Sequence, residues 1–235
     1  MIKETFQYLI GLGNTRIEDV AGRSFSTQPI HAIPDAIPAT IKVRSLSGFV
    51  DYLKSGFDGV QPLMVQVVSP TDAIAFTTFN RDKKRSDLIE ATAMLPDFRF
   101  DSWMDAETFN IKLQSCFVGN VDRDTMLKVV GNIKDEAVNT IGDDGVSQSV
   151  VAKTGVATVA NVKVPNPVLL APYRTFVEVE QPESEFVFRM QSGPKCALFE
   201  ADGGAWKLAA MKNVSRYLAD ALSEQIGAGT IVIIA

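Results

Sequence analysis

Residues 139–190 limit what this chain can become more than any other stretch. The run NTIGDDGVSQSVVAKTGVATVANVKVPNPVLLAPYRTFVEVEQPESEFVFRM is almost wholly strand and turn chemistry. Val146, Gln148, Val150 and Ala152 fall on one side of an extended chain, and Ser147, Ser149, Val151 and Lys153 on the other. That alternation predicts a half-buried strand or the arm of a hairpin. The cluster Gly142-Asp143-Asp144-Gly145 ahead of it predicts a turn, because glycine supplies positive φ and aspartate tolerates it. Thr175 to Val179 and Glu185 to Met190 also alternate and predict a second strand pair, joined by a turn at Gln181-Pro182-Glu183-Ser184. Pro165, Pro167 and Pro172 lack the amide hydrogen that a ladder needs, so this piece is expected along an edge or between sheet layers.

Helices bracket that segment. Asp105 is placed to cap a helix running to about Phe117, with Phe109, Leu113, Cys116 and Phe117 inward. Asp122 is placed to cap the next, to Lys134, with Met126, Val129, Val130 and Ile133 inward. Downstream, Cys196 to Glu200 reads as a strand and Asp202-Gly203-Gly204 as a turn. Trp206 to Ile226 reads as one long helix whose Trp206, Ala210, Val214, Tyr217/Leu218, Ala221/Leu222 and Glu224 trace one face, apolar until its last position.

Upstream, Met1 to Ile10 predicts a short helix stopped by Gly11 and Gly13, and Arg16 to Ser26 a weak strand pair. Gln28 to Ala39 holds Pro29, Pro34 and Pro38 with Ile33 and Ile37, an extended apolar connector. Thr40 to Val43 reads as a strand, followed by a helix to Lys54 capped by Ser45 or Ser47. Pro62 to Val68 and Asp72 to Phe79 form a predicted hairpin, and Asp87 to Met94 a returning strand. Strands and helices come in clusters rather than in strict alternation, which predicts an α+β fold. Its expected parts are an antiparallel strand-rich core with a long hairpin, paired central helices and a long C-terminal amphipathic helix. An arm at 1–39 is expected to precede one domain at 40–235, with its strand-rich segment at 137–200 and its closing helix at 204–226.

With 235 residues, 46% hydrophobic and 22% charged, the chain is long enough to bury a proper core. A net charge of −5 argues against nucleic-acid binding over the whole surface. Two cysteines, Cys116 and Cys196, are too few for a disulfide scaffold and are expected to be buried, as suits a reducing cytoplasm. No run approaches the roughly 18 apolar residues that span a bilayer, and the N-terminus lacks a signal-peptide pattern, so no membrane partner is expected.

Catalytic signatures are missing. The single histidine, His31, sits in the proline-rich connector with no nucleophile motif beside it, and one histidine with two distant cysteines cannot fill a zinc site. Asp143 with Asp144, or Asp82 with Asp87, carry hard-cation chemistry, but they read as solvated turn residues. An enzyme is therefore not expected, nor a cofactor or metal. The basic run Arg81, Lys83, Lys84 and Arg85 departs from the acidic background. With Phe76, Phe79, Phe98, Phe100 and Trp103 nearby in sequence, it suggests a stacking surface for single-stranded nucleic acid.

The order of these pieces resembles that of the YfdQ-like family of tailed-phage and prophage proteins. The likeness runs from the helix SGFVDYL and the hairpin containing IAFTTF, through DAETFNIKL and DRDTMLKVVGNIK, to PYRTFVEVEQPESEFVFRM. It ends with ALFEADGGAWKLAAMKNVSRYLADAL, so it spans about residues 40 to 226. The resemblance implies a phage gene expressed in the bacterial cytoplasm; it brings no established reaction, cofactor or catalytic residue. Three expectations follow. The first is a non-enzymatic homo-oligomer or self-assembling shell or ring, with Ile33, Ile37, Val150, Val151, Ile231 and Ile233 as contacts, since exposed apolar strand edges tend to pair across subunits. The second is a single-strand-binding accessory of phage recombination or replication acting through Arg81 to Arg85. The third is a counter-defence protein that sequesters a host protein or small nucleotide.

Overall fold

The computed structural model describes residues 2–13, 16–20, 23–26, 37–80, 83–131, 139–143, 148–154, 158–163, 166–191, 193 and 195–235. The chain divides into two compact units, Met1–Ile37 and Pro38–Ala235.

The first unit holds helix α1 (Ile2–Gly13) and a hairpin of β1 (Ile17–Val20) and β2 (Arg23–Ser26), paired from Ile17↔Ser26 to Val20↔Arg23. The strand pair is the expected one, whereas α1 runs on through Gly11 to Gly13. Its apolar side chains Ile2, Phe6, Leu9 and Ile10 are 56–77% exposed. Ile33 and most of the expected connector lie outside the described residues; Ile37 is exposed.

In the second unit the order is β3 (Ile41–Val43), α2 (Leu46–Ser55), β4 (Leu63–Ser69), β5 (Asp72–Thr77), β6 (Asp87–Thr92) and β7 (Met104–Asp105). Then come α3 (Ala106–Ser115), α4 (Val121–Gly131), β8 (Asn139–Asp143), β9 (Gln148–Thr154), β10 (Thr158–Lys163) and β11 (Val168–Leu170). The remaining elements are β12 (Ser184–Gln191), β13 (Lys195–Glu200), α5 (Trp206–Ala221), α6 (Ser223–Gly227) and β14 (Ile231–Ile234). The α+β class is as expected.

A five-stranded sheet, β14-β4-β5-β6-β3, carries the first core. Val65 faces Ala75 and Val67 faces Ala73 on its inner side, where Leu46, Phe49 and Leu53 of α2 and Val214 and Leu218 of α5 cover them. The small alanines let the helices approach closely. This sheet is mixed, whereas the strands of the segment 137–200 pair antiparallel as expected. β14 runs parallel to β4 and β3 parallel to β6, because helices carry the chain across before these strands pair. A four-stranded antiparallel sheet, β11-β12-β13-β7, carries the second core with α3 and α4. There Phe109 stacks on Phe188 at 5.5 Å and Phe100 on Phe186 at 5.3 Å. The expected hairpin arm is β9 with β10, and β8 adds a third strand.

Four local expectations are corrected. Thr175 to Val179 is a looping turn, with Val179 N donating to Phe176 O, and β12 pairs instead with β11 and β13. Asn120, not Asp122, caps α4: its Oδ1 accepts from Arg123 N at 2.8 Å, while Asp122 Oδ2 accepts from Leu169 N at 2.8 Å and ties α4 to β11. Gly142 and Asp143 belong to strand β8 rather than to a turn; Asp144 and Gly145 lie outside the described residues. The long last helix breaks at Leu222 into α5 and α6. The caps at Ser45 and Asp105 stand as expected, accepting from Gly48 N at 3.1 Å and Thr108 N at 2.8 Å.

Candidate functional site

The polar centre of the second unit is the loop between β11 and β12. Among the described residues its Arg174, Thr175 and Gln181, with Ser184, are the buried polar or charged ones. A buried backbone must find partners, and here one side-chain amide supplies four of them. Gln181 Oε1 accepts from Arg174 N at 3.0 Å and Thr175 N at 3.2 Å, and its Nε2 donates to Phe176 O at 2.9 Å and Val179 O at 3.1 Å. So closed, the loop reaches outward in several directions. Phe176 enters the first core, the Thr175 hydroxyl donates to Pro70 O, and Asn213 of α5 donates to Glu180 O at 2.9 Å.

Arg174 sits at the middle of this network, 6% exposed. Its Nη1 meets Glu200 Oε1 at 2.6 Å and its Nη2 donates to Ser184 Oγ. The guanidinium lies 3.9 Å from the centre of the Trp206 ring, 5.4 Å from Phe186 and 5.7 Å from Phe100, all within cation–π range. Burial lowers its pKa, against the opposing charges of Glu200 and Asp202, and a guanidinium stays protonated even so. Asp202 places Trp206 by accepting from Gly204 N at 2.9 Å and from Trp206 N at 3.1 Å at the entry to α5. Two donors here, Arg174 Nε and Trp206 Nε1, are buried without an acceptor.

Arg174 and Trp206 form part of the wall of an open cavity of about 470 Å³. The wall also holds Phe98, Phe100 and Tyr173, all half-buried, and its charged members are Arg174 and Lys207, both cationic. None of this network was singled out from the sequence. Arg174, Ser184, Glu200 and Trp206 are scattered over the chain, and a lone arginine after Pro-Tyr carries no pattern; only the apolar spacing of Trp206 was legible.

The basic run lies on the connection between β5 and β6. Arg81 lies outside the described residues, while Lys83 and Lys84 are exposed on a turn in which Lys84 N donates to Asn80 Oδ1 at 2.9 Å. Arg85 lays its own guanidinium over Phe79 at 4.1 Å and Phe76 at 5.2 Å, and Phe79 stays 61% exposed. Phe98 and Phe100 pack into the second core, and Trp103 stands edge-on to Phe199.

Of the expected assembly contacts, Ile231 is buried in the first core and Ile233 packs against it. Val150 and Val151 pair with Val162 and Asn161 in the β9–β10 ladder. The outward residues of β14 are Val232 and Ile234, 50% and 41% exposed, on the terminal strand of the sheet. Beside them, Leu208 and Met211 line a groove on the outer face of α5.

His31, Asp82 and Asp144 lie outside the described residues, and Asp87 is exposed. Among the described residues no three of His, Cys, Asp and Glu come together as a metal site. Both cysteines are buried free thiols. No described helix is long and apolar enough to cross a membrane. No protein family matches the chain, and no curated protein or solved structure is significantly similar to it.

Proposed function

We propose that this chain is a non-enzymatic phage protein that works as a homo-oligomer in the bacterial cytoplasm. The phage origin and the compartment rest on the resemblance in layout. The assembly rests on one observation: the five-stranded sheet ends on β14, whose outward residues Val232 and Ile234 are half-exposed. Edge strands are ordinarily protected by lysine, proline or a bulge, and Ile-Val-Ile-Ile carries none of these. A second copy of β14 across a two-fold axis joins the two sheets, with exposed Leu208 of α5 adding apolar area beside the seam. The uncovered stripe of α1 supports the same reading, since a helix of 12 residues is marginal in water without a surface to lie on. Light scattering on a sizing column tests the proposal. The wild type is expected above monomer mass, and Val232→Lys with Ile234→Lys is expected to release smaller species. A wild type that is monomeric at high concentration removes the proposal.

A further inference from the structure

We propose, independently of the oligomer, that the cavity beside Arg174 binds a planar aromatic anion of nucleoside-monophosphate size. Several observations converge on that class. The volume of about 470 Å³ falls in the range of small-molecule pockets. The charged residues of its wall are the cations Arg174 and Lys207, while the compensating carboxylates Glu200 and Asp202 lie outside the wall. Arg174 is already paired with Glu200 at 2.6 Å, so the cation this wall offers to an anion is Lys207. Lys207 is exposed, near the rim, and has no ion-pair partner among the described residues, so its ammonium is available to a phosphate. Half-buried Phe98, Phe100 and Tyr173 give the wall its aromatic surface.

Arg174 supplies the second, separate argument. It is more than nine-tenths buried, yet its Nε–H has no acceptor, and the indole N–H of the adjoining Trp206 has none either. Both donors are sealed off from the cavity as they stand, so what Arg174 and Trp206 present to it is their stacked guanidinium–indole surface. Ser69 and Thr71, also on the wall, direct their hydroxyls to Asp72 at 2.6 Å and 2.8 Å, and the Arg174 fork is taken by Glu200 and Ser184, which leaves the donor role to Lys207.

The chain has two tryptophans, so Trp103→Phe leaves Trp206 as the sole indole reporter. Adenosine monophosphate, adenosine, inorganic phosphate and 4-hydroxybenzoate are titrated into this variant while Trp206 fluorescence is followed. Adenosine monophosphate is expected to give a saturable change, with adenosine and inorganic phosphate each at least tenfold weaker. Lys207→Glu in the same background is expected to weaken adenosine monophosphate at least tenfold without moving the thermal midpoint, since Lys207 is exposed. No saturable change with any probe, inorganic phosphate or 4-hydroxybenzoate binding as tightly as the nucleotide, or an indifferent Lys207→Glu overturns the proposal.

Discussion

Glu178 caps a helix that begins 132 residues earlier: its Oε1 accepts from Leu46 N at 2.8 Å and from Ser47 N at 3.4 Å at the start of α2. The same helix end is capped locally by Ser45, so one amide cluster is satisfied by a neighbour in sequence and by a carboxylate from the β11–β12 loop. A negative charge there also opposes the helix dipole favourably. Glu178→Ala and Ser45→Ala are each expected to lower stability by about 1 kcal/mol in urea unfolding, and Glu178→Gln by less.

Phe176 distinguishes the observed loop from the strand its sequence suggests. It is buried in the first core, whereas its neighbour Val177 is exposed. Phe176→Ala is expected to destabilise by about 3–5 kcal/mol and Val177→Ala by no more than about 0.5 kcal/mol. Denaturant midpoints at constant slope check both.

Arg174 holds Glu200, Ser184 and the Trp206 ring at once. Removing one partner of a buried pair costs about 3–5 kcal/mol, and the low end applies because the Glu200 side chain keeps 34% of its exposure and water shields it. Arg174→Met is expected to lose about that much. Arg174→Lys is expected to recover little, because an ammonium cannot reproduce the guanidinium fork stacked on an indole.

The expected alternation at Thr175 to Val179 is present in the residues, but each is used for something other than a ladder. Phe176 is an anchor, Glu178 a remote cap, and Gln181 closes the loop from within. Such uses depend on partners far off in the chain, so spacing cannot reveal them. Elements whose signals are local were legible: the caps Ser45 and Asp105, the β4–β5 hairpin and the buried stripe Ala210, Val214 and Leu218. Asp122 misled because an equally good cap, Asn120, stands just before it and the aspartate is taken by Leu169 N. The Arg174 network was invisible for the same reason as the loop: its members meet only after both sheets have formed.

Asp72 gives the fold an acid sensitivity with a definite sign. Burial pushes its carboxyl up, but hydrogen bonds from the hydroxyls of Ser69, Thr71 and Thr92 outweigh it, and the net pKa is lowered. A folded value below the unfolded one, about 3.9, means the carboxylate contributes stability above that value. The contribution is lost as pH falls through the lower folded value. Urea unfolding from about pH 5 downward is expected to show an acid limb that Asp72→Asn flattens.

The Cys196 thiol is pushed up to about 12 by burial, with the Asp105 charge adding to it, and its side chain is fully buried, whereas Cys116 lines the open cavity beside Arg174. Cys196 is not expected to react with a thiol reagent in the folded protein at pH 8 and is expected to react once it is unfolded. A count of modified thiols by mass, before and after denaturant, checks this.

The assembly reading is tested most directly by light scattering of the wild type beside Val232→Lys/Ile234→Lys. Both substituted side chains are half-exposed, so the folded chain is expected to tolerate the change, with an unaltered thermal midpoint at low concentration. The expected result is a uniform wild-type particle of at least dimer mass and a variant of lower mass. A wild-type monomer at high concentration, or a variant that keeps the wild-type mass, contradicts association through β14.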